Sequence, residues 1–256
     1  MTKILFFDID GTLYNSKKEI PKSSKEAITK ARNNGYEVAI ATGRAPFMIQ
    51  EIIEELQIDT YVTFNGQYVV YKGKVIFTDG VPKEQLSEII QFGQERNHPV
   101  VFIDDQKMIA SVSDHDFIEK SLNTLKHPYP TIDPLFYEMN KVYQTLIFME
   151  EKDESVYMEK FPYVQFVRWH PFSCDIIPKD GSKARGIHRI LEKMNIPLSD
   201  VFAFGDGLND IEMLQAVGTG VAMGNAHDKV KAVADIITDH VDQDGLAKVM
   251  KELKII

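Results

Sequence analysis

Short apolar runs recur along the chain, and each ends on a small polar residue that precedes a helical pattern. The runs are rich in β-branched and aromatic side chains, as buried strands are. Their polar ends are Asp8, Thr42, Asn65, Asp206, Asn225 and Thr238. Helical patterns between them occur, for example, at residues 22–33, 46–56 and 184–194. Strand and helix in alternation predict an α/β fold with an open, doubly wound parallel sheet, whose ligands bind beyond the carboxyl ends of the strands.

The middle of the chain departs from this alternation. After a hairpin pattern at residues 68–77, strand patterns follow one another at residues 100–112, 142–149, 164–169 and 174–178. Helical patterns lie among them at residues 83–96, 114–125 and 152–160. Strands in succession with helices to one side are typical of an α+β unit. We therefore expect a core formed by residues 1–80 and 181–256, and an α+β domain inserted at residues 81–180.

The composition and charge of the 256-residue chain exclude several classes of protein. Hydrophobic residues make up 44% and charged residues 26% of the sequence, which is ordinary for a globular protein with a full core. The net charge of −9 repels nucleic acid and anionic membranes, so neither is an expected partner. The single cysteine, Cys174, excludes an internal disulfide framework, and we favour a buried apolar role for it over a catalytic thiol.

The apolar runs are too short for a membrane protein. No stretch approaches the roughly 20 apolar residues that a membrane-spanning helix needs. Asp8 and Asp10 interrupt the only apolar run near the N-terminus, so we expect no signal peptide there. A cytoplasmic location is the resulting expectation.

Asp8 and Asp10 stand at the end of the first apolar run, beside a predicted interior. In an extended chain residues i and i+2 face the same way, so we expect both carboxylates in one site. Two carboxylates this close need a cation or hydrogen bonds to remain ionised. Gly11 permits a sharp turn after them, and Thr12 adds a hydroxyl group.

Two other interpretations of this segment exist. Asp10 could simply cap a turn. The spacing of Asp8, Asp10, Thr12 and Glu19 also matches positions 1, 3, 5 and 12 of a calcium-binding EF-hand loop. Such a loop requires glycine at position 6, where this chain has Leu13, and a preceding helix, where this chain has a strand pattern. The calcium loop is therefore disfavoured.

The segment GDGLND, at residues 205–210, follows another predicted strand. Asp206 would add a hard oxygen ligand of the kind that Mg²⁺ prefers. Asn209 and Asp210 open the next helical pattern, where capping of the helix is a simpler and compatible role.

Two further segments carry groups suited to an anion. The segment ATGR, at residues 41–44, places a hydroxyl and backbone N–H groups at a strand-to-helix turn. Lys183 lies on the first turn of a helical pattern, where a cation is unfavourable unless an anion is nearby. A solvated lysine explains the sequence at that position equally well.

Taken together and in this order, the four segments resemble the motifs of the haloacid dehalogenase superfamily of aspartate-based phosphotransferases. More narrowly, the chain is similar to the Cof-type sugar- and cofactor-phosphate phosphatases, and the likeness covers its whole length. The family patterns DxDGT, Thr-Gly-Arg, a lone lysine, GDxxND and MGNA correspond here to residues 8–12, 42–44, 183, 205–210 and 223–226. The resemblance implies a Rossmannoid catalytic core, and a large α+β cap at residues 81–180.

The resemblance also implies roles for individual residues. Asp8 would be the nucleophile and Asp10 the general acid and base. Mg²⁺ would be held by Asp8, by the backbone carbonyl of Asp10, by Asp206 and by Asp210. The phosphate would be bound by Ile9, Thr42, Gly43, Arg44, Lys183 and Asn209. The expected substrate is a small phosphorylated metabolite, selected by the cap, and a monomer is the expected state.

Competing functions remain open at this point. A phosphomutase of the same superfamily would use a second substrate hydroxyl in place of water. A carbon–halogen dehalogenase needs neither an acid at Asp10 nor a metal cluster. A non-catalytic protein that binds Mg²⁺ or phosphate is disfavoured because the chain has both Asp8 and Asp10. In the cap, we expect Arg168, Trp169 and His170 to pack in the sheet rather than to contact substrate.

Overall fold

The computed structural model describes residues 3–256, which form two compact units. The first unit comprises the residues up to Arg44 together with Met48–Phe77 and Ser182–Ile256. The second comprises Ala45–Phe47 and Thr78–Gly181. The boundaries of the long insertion thus lie at 77/78 and 181/182, whereas the sequence suggested 80/81 and 180/181, and the assignment of residues 45–47 to the second unit was not expected. That these units act as catalytic core and cap stays a prediction.

The secondary structure of the described residues alternates along the chain. The strands are β1 (Lys3–Phe7), β2 (Tyr36–Ala41), β3 (Tyr61–Thr63), β4 (Tyr68–Tyr71), β5 (Lys74–Thr78), β6 (Val100–Ile103), β7 (Met108–Ala110), β8 (Thr131–Ile132), β9 (Gln144–Phe148), β10 (Val164–His170), β11 (Ser173–Pro178), β12 (Val201–Gly205), β13 (Thr219–Ala222) and β14 (Ile236–Ile237). The α-helices are α1 (Lys22–Asn33), α2 (Gln50–Leu56), α3 (Lys83–Gln94), α4 (Asp116–Thr124), α5 (Phe136–Met139), α6 (Glu154–Lys160), α7 (Lys183–Met194), α8 (Ile211–Gln215), α9 (Asp228–Lys231) and α10 (Gly245–Glu252).

The first unit is built on an eight-stranded sheet in the order β14-β13-β12-β1-β2-β3-β4-β5. The strands from β14 to β3 pair in parallel, and β4 pairs antiparallel with β3. The order runs outward from β1 in both directions, as a doubly wound sheet requires. The α/β fold expected from the sequence is confirmed.

Strand β1 lies in the middle of that sheet, and both of its faces are covered. Leu5 and Phe7 pack in one apolar cluster with residues of α1, α2 and α10. Ile4 and Phe6 pack in a second cluster with residues of α7 and α8. All four side chains are fully buried. Burial on both faces explains why the sequence of β1 is continuously apolar rather than alternating.

The second unit is built on a six-stranded sheet in the order β10-β11-β9-β6-β7-β8. Its pairs are antiparallel except for β7 with β8. Residues of α3 and α6 form an apolar cluster with alternate residues of β6, β9, β10 and β11. This arrangement is the α+β unit that the sequence predicted. The strand β8 and the helix α5 were not predicted, because two and four residues are too short to show a period.

The helices α2 and α6 begin later than expected because a 3₁₀ turn precedes each of them. Residues 46–49 form a 3₁₀ turn, and only the continuation is the α-helix α2. Similarly, Glu151–Asp153 is a 3₁₀ turn before α6. Within residues 3–256, none of the helices combines the length and apolar character needed to cross a membrane.

Candidate active site

The polar residues that end the strands of the first unit meet at one edge of its sheet. Asp8 follows β1, Thr42 follows β2 and Asp206 follows β12. Because β12, β1 and β2 are adjacent and parallel, their carboxyl ends lie side by side. That edge is where open α/β sheets bind ligands.

Lys183 links two of the acidic residues at this edge. Its Nζ donates to Asp8 Oδ1 at 2.6 Å and to Asp210 Oδ1 at 2.6 Å. Lys183 is the first residue of α7, and the side chain of Ser182 caps that helix by accepting a hydrogen bond from Arg185 N. The lysine side chain is only 1% exposed. The alternative of a solvated lysine is therefore wrong.

A third carboxylate, that of Asp206, completes an acidic cluster with Asp8 and Asp210. The three residues each offer an oxygen, and these oxygens lie within 4.8 Å of one another. Thr12 Oγ1 donates to Asp206 Oδ1 at 3.0 Å, and Asn225 Nδ2 donates to Asp206 Oδ2 at 3.2 Å. These hydrogen bonds fix the orientation of the Asp206 carboxylate.

Gly11 makes room for Asp206. Its backbone is left-handed, with a φ of 82°, and a Cβ added there would lie 2.1 Å from Asp206 Oδ2. Only glycine fits both the conformation and the space. The glycine of the DGT segment is thus required by a residue that lies nearly two hundred positions further along the chain.

Asp210 both orders its own loop and belongs to the cluster. Its Oδ2 accepts from the backbone N–H groups of Asp206, at 2.9 Å, and Gly207, at 2.8 Å. Its Oδ1 accepts from Lys183. The capping role considered from the sequence and a place beside the metal-ligand candidates therefore coexist in one side chain.

The cluster contains more acidic groups than basic ones, and this imbalance shifts the pKa values of its members. Burial raises the pKa of Asp8 well above its ordinary value, and Asp210 and Asp206 raise it further against the opposing effect of Lys183. Burial, followed by the charge of Asp210, raises the pKa of Asp206 to about 6. Burial alone would lower the pKa of Lys183, but Asp210 and Asp8 together hold it above its ordinary value.

Three carboxylates therefore face one lysine, and a further cation would stabilise them. The donor set consists of hard carboxylate oxygens, which are the ligands of Mg²⁺ and Ca²⁺ rather than of softer metals. The cluster could hold a metal ion of this kind.

The Asp10 carboxylate lies outside this cluster. Its Oδ1 accepts from Lys18 Nζ at 2.6 Å and from the Arg44 guanidinium at 2.8 Å, and its Oδ2 accepts from Arg44 Nε at 2.8 Å. Burial would raise the pKa of Asp10, but the hydrogen bonds and charges of Arg44 and Lys18 lower it below its ordinary value. The guanidinium of Arg44 also lies 5.4 Å from the ring of Tyr14.

The Asp10 carboxylate therefore pairs with Arg44 and Lys18 rather than joining the three clustered carboxylates, although its charge still raises the pKa of Asp206. That Asp8 and Asp10 serve one site stays a prediction. The strand β1 ends at Phe7, and a tight turn follows, in which Thr12 N donates to Ile9 O and Leu13 N donates to Asp8 O. The rule that residues i and i+2 share a face holds only in an extended strand. A ligand role for the backbone carbonyl of Asp10 stays a prediction.

The residues predicted to bind phosphate differ in the groups that they can offer to a ligand. Thr42 is buried, and its Oγ1 accepts from Arg44 N at 3.2 Å. Asn209 Nδ2 donates to Asn65 Oδ1 at 3.0 Å, and the same Asn65 amide lies beside Gly43. The side chain of Ile9 is buried in the apolar core, so only its backbone could serve a ligand.

Two contributors to the site carried no predicted role. Lys18, which binds Asp10, follows no strand and belongs to no motif, so the sequence offered no signal for it. Asn225 ends a strand pattern and lies in the MGNA segment, yet only the structure shows its amide donating to Asp206 and to Gly11 O at 2.8 Å.

Comparison with known proteins places this geometry among phosphate-processing enzymes. Residues 5–250 match the family model of haloacid dehalogenase-like hydrolases. The YkrA protein of Bacillus subtilis (strain 168) is 42% identical over 255 residues, which are 100% of this chain and 99% of that protein. The pyridoxal phosphate phosphatase YbhA of Escherichia coli (strain K12) is 30% identical over 266 residues, covering 96% of this chain and 97% of YbhA.

A solved structure agrees with these sequence relatives. The sugar phosphatase BT4131, of HAD subclass IIB, superimposes with a TM-score of 0.89 at 35% identity. The superposition covers 99% of this chain and 100% of BT4131.

Proposed function

Because this chain belongs to the haloacid dehalogenase-like hydrolase family, we propose that it hydrolyses small phosphate monoesters through a covalent intermediate on Asp8. The chain is a phosphatase, as its relatives are. The observation that carries the proposal is the buried Asp8 carboxylate, which contacts Lys183 inside a cluster of three carboxylates at the carboxyl ends of parallel strands.

Asp8 acts as the nucleophile in this proposal. One carboxylate oxygen of Asp8 attacks phosphorus, and the bond between phosphorus and the substrate oxygen breaks, which leaves an aspartyl-phosphate. Water then attacks the same phosphorus, and free phosphate and the Asp8 carboxylate are released. Dividing one displacement into two lowers the barrier of each. Lys183 holds the Asp8 carboxylate in place at 2.6 Å.

Asp10 acts as the proton carrier. It donates a proton to the leaving alcohol in the first step and accepts one from water in the second. The hydrogen bonds from Arg44 and Lys18 keep it ionised in this structure, which suits its role as base. Its role as acid requires that these contacts loosen when the substrate arrives.

The phosphoryl group is bound by neighbours of Asp8. We assign this role to the Lys183 ammonium, the Thr42 hydroxyl, the Asn209 amide and the backbone N–H groups of Ile9 and Gly43, with Arg44 at the edge. Donors aimed at the transferring oxygens stabilise the charge that these oxygens carry in the transition state.

We assign the metal site to Mg²⁺. Asp8, Asp206, Asp210 and the backbone carbonyl of Asp10 would hold it, and Asp210 also accepts a hydrogen bond from the backbone N–H of Asp206. When bound, Mg²⁺ neutralises the repulsion between a carboxylate nucleophile and an anionic phosphate.

The substrate belongs to the small phosphorylated metabolites. The relatives support sugar phosphates and phosphorylated cofactors such as pyridoxal phosphate, and nucleotides stay in the set. The net charge of −9 argues against nucleic acid or a membrane as a partner. We further propose that the second unit is the cap, that it selects the leaving group, and that the protein works as a monomer in the cytoplasm.

The test measures phosphate release from p-nitrophenyl phosphate and from a panel of sugar phosphates, nucleotides and pyridoxal phosphate, with Mg²⁺ and with EDTA. We expect turnover only with Mg²⁺. Asp8→Asn should lose at least about 10³-fold in kcat, because an amide does not attack phosphorus. The matched control is Asp228→Asn, an exposed aspartate of the same unit, which should retain full activity.

The outcomes separate the competing functions. Substantial turnover by Asp8→Asn, shown by mass spectrometry to be free of deamidation, would exclude Asp8 as the nucleophile. Transfer of the phosphoryl group to a second hydroxyl of the substrate, without release of phosphate, would identify a phosphomutase instead.

A further inference from the structure

The turn that follows β3 has an unusual backbone. Phe64, Asn65 and Gly66 have φ angles of 52°, 51° and 98°, so three successive residues are left-handed. This conformation is unfavourable for residues with a Cβ, and most of all for a bulky one such as Phe64. Phe64 and Asn65 are nevertheless buried. Backbone strain of this kind persists only where the surroundings impose it, and it concentrates at functional sites.

The turn holds the loop that contains the predicted phosphate-binding residues Thr42 and Gly43. Phe64 N donates to Arg44 O at 3.0 Å, and Asn65 N donates to Thr42 O at 3.1 Å. These two hydrogen bonds fix the carbonyl groups on either side of Gly43. A Cβ at Gly43 would lie 3.0 Å from the amide nitrogen of Asn65, so that side chain packs directly against the loop.

The same turn reaches two further segments of the site. Asn65 Oδ1 accepts from Asn209 Nδ2 at 3.0 Å, which fixes the orientation of the Asn209 amide. Gly66 packs against Ser182, because a Cβ at Gly66 would lie 2.0 Å from Ser182 O. Ser182 caps the helix α7, whose first residue is Lys183. The turn therefore contacts three segments of the site: the 42–44 loop, Asn209 and the start of α7 next to Lys183.

We propose that Asn65 is a positioning residue for phosphoryl transfer, which aligns the Asn209 amide and the 42–44 loop on one phosphoryl group. The inference rests on the proposed function and deepens it. Asparagine and aspartate are, besides glycine, the residues that best tolerate the left-handed conformation, and the neutral asparagine supplies an acceptor for Asn209 without adding a negative charge beside a phosphate site. Catalytic donors must be placed within a fraction of an ångström, so the loss of this alignment slows the chemical step.

The first experiment replaces the side chain without disturbing the backbone. Asn65→Gly keeps the left-handed conformation and removes only the amide. We expect kcat for p-nitrophenyl phosphate to fall by about 10- to 100-fold. Inhibition by inorganic phosphate should weaken, while the thermal melting temperature stays at or above that of the wild type. A merely structural role would lower the melting temperature and leave phosphate inhibition unchanged.

The matched control is Asn195→Gly. Asn195 has a φ of 53°, lies in the same unit, and ends the same helix α7 that begins with Lys183. The substitution and the backbone conformation are therefore the same, but the residue is at the end of the helix away from the cluster. We expect kcat and phosphate inhibition to remain at wild-type values.

A double-mutant cycle with Asn209→Ala tests the route of the effect. If Asn65 acts through Asn209, the double variant should lose less activity than the product of the two single losses. A fully multiplicative loss would overturn the positioning role, as would an Asn65→Gly variant that behaves like Asn195→Gly while the wild type hydrolyses phosphate esters. Absence of hydrolysis by the wild type would instead refute the proposed function itself, and the inference with it.

Discussion

Each unit contains an ion pair that is largely removed from water. In the first unit, the Lys183 cluster consists of Lys183 with Asp8 and Asp210. In the second, the Arg168 cluster consists of Arg168 and Glu154. Lys183 faces Asp8 and Asp210, both at 2.6 Å. Arg168 Nε donates to Glu154 Oε2 at 2.7 Å, and its NH1 donates to backbone carbonyls, among them that of Pro171 at 2.9 Å. In the Arg168 cluster one cation meets one acid, and the NH1 group of Arg168 also donates to the neutral backbone carbonyls of Met149 and His170.

The Lys183 cluster has no such balance, since Asp206 adds a third carboxylate. The charges of the partly accessible pair Arg168 and Glu154 balance each other, so this pair needs no further cation. A buried cluster with more carboxylates than cations is unfavourable until a further cation binds, and clusters of this kind are typical of functional sites. An excess of negative over positive charges, rather than the presence of an ion pair, therefore distinguishes the candidate functional site from the structural ion pair.

Asp175 of β11 illustrates a third way to bury an acid. It is buried in the sheet of the second unit, and burial raises its pKa to about 8, against the opposing effect of the neighbouring Trp169. At neutral pH this residue therefore retains its proton. Asp175 thus carries no charge inside the protein. The charge of Glu154 is instead paired with Arg168, and that of Asp8 is paired with Lys183, which also contacts Asp210.

The largest effect should follow from Lys183→Met, which removes the cation from the unbalanced cluster. We expect kcat to fall by roughly 10³-fold, because Lys183 also contacts the phosphoryl group in the proposed mechanism. In EDTA the free energy of unfolding should fall by about 3 to 5 kcal/mol. Added Mg²⁺ should recover part of that loss, measured by chemical denaturation. Failure of Mg²⁺ to recover any stability would argue against a cation site among the three carboxylates.

Arg168→Met makes the corresponding change in the balanced cluster. Glu154 would lose its partner, and we expect the free energy of unfolding to fall by about 2 to 3 kcal/mol, since the pair is partly accessible to water. Mg²⁺ should recover none of this, and kcat should stay near that of the wild type. A large loss of activity at full stability would show that Arg168 contacts substrate, contrary to our expectation.

The pH dependence of stability should report on Asp175. Its pKa in the folded protein, about 8, lies above the ordinary aspartate value, so between about pH 4 and pH 8 the folded state holds a proton that the unfolded chain releases. The free energy of unfolding should therefore fall as the pH rises through that window, by about 2 kcal/mol or more. Asp175→Asn should flatten the profile between pH 5 and pH 9. An unchanged profile would show that Asp175 is ionised in the folded state.

Mg²⁺ alone should produce the smallest effect. A ligand that binds only the folded state at ten times its Kd adds about 1.4 kcal/mol of stability. We expect this increase for the wild type and its loss in Asp206→Asn, while Glu154→Gln keeps it, as followed by thermal melting with and without EDTA. Equal stabilisation of the wild type and Asp206→Asn would place the metal elsewhere.

Much of the fold followed from local patterns. The helix α1 has the bounds that its periodicity predicted, and β1 has the burial on both faces that its apolar run predicted. The elements β8 and α5, which were not predicted, have two and four residues, about one period of a strand and of a helix, so no repeat is visible in their sequences. The start of α2 was misplaced because residues 46–49 form a 3₁₀ turn, whose period of about 3 residues is close to that of an α-helix.

The residues at the carboxyl edge of the first sheet could be identified from the order of elements along the chain. Asp8, Thr42 and Asp206 each follow a strand directly, and strand direction in a parallel sheet brings their ends together whatever the details of packing. That argument needs only the order of strands and helices along the chain.

The hydrogen-bond partners of these residues, in contrast, depend on packing between distant segments. Asp10 bonds to Arg44 and Lys18 because the chain turns after Asp8, and the direction of a side chain in a turn depends on dihedral angles that composition does not fix. Asn65 meets Asn209, and Gly11 makes room for Asp206, across separations of 144 and 195 residues, the latter from position 11 to position 206. Contacts between distant segments are set by packing, and a pattern that repeats every two or four residues carries no information about them.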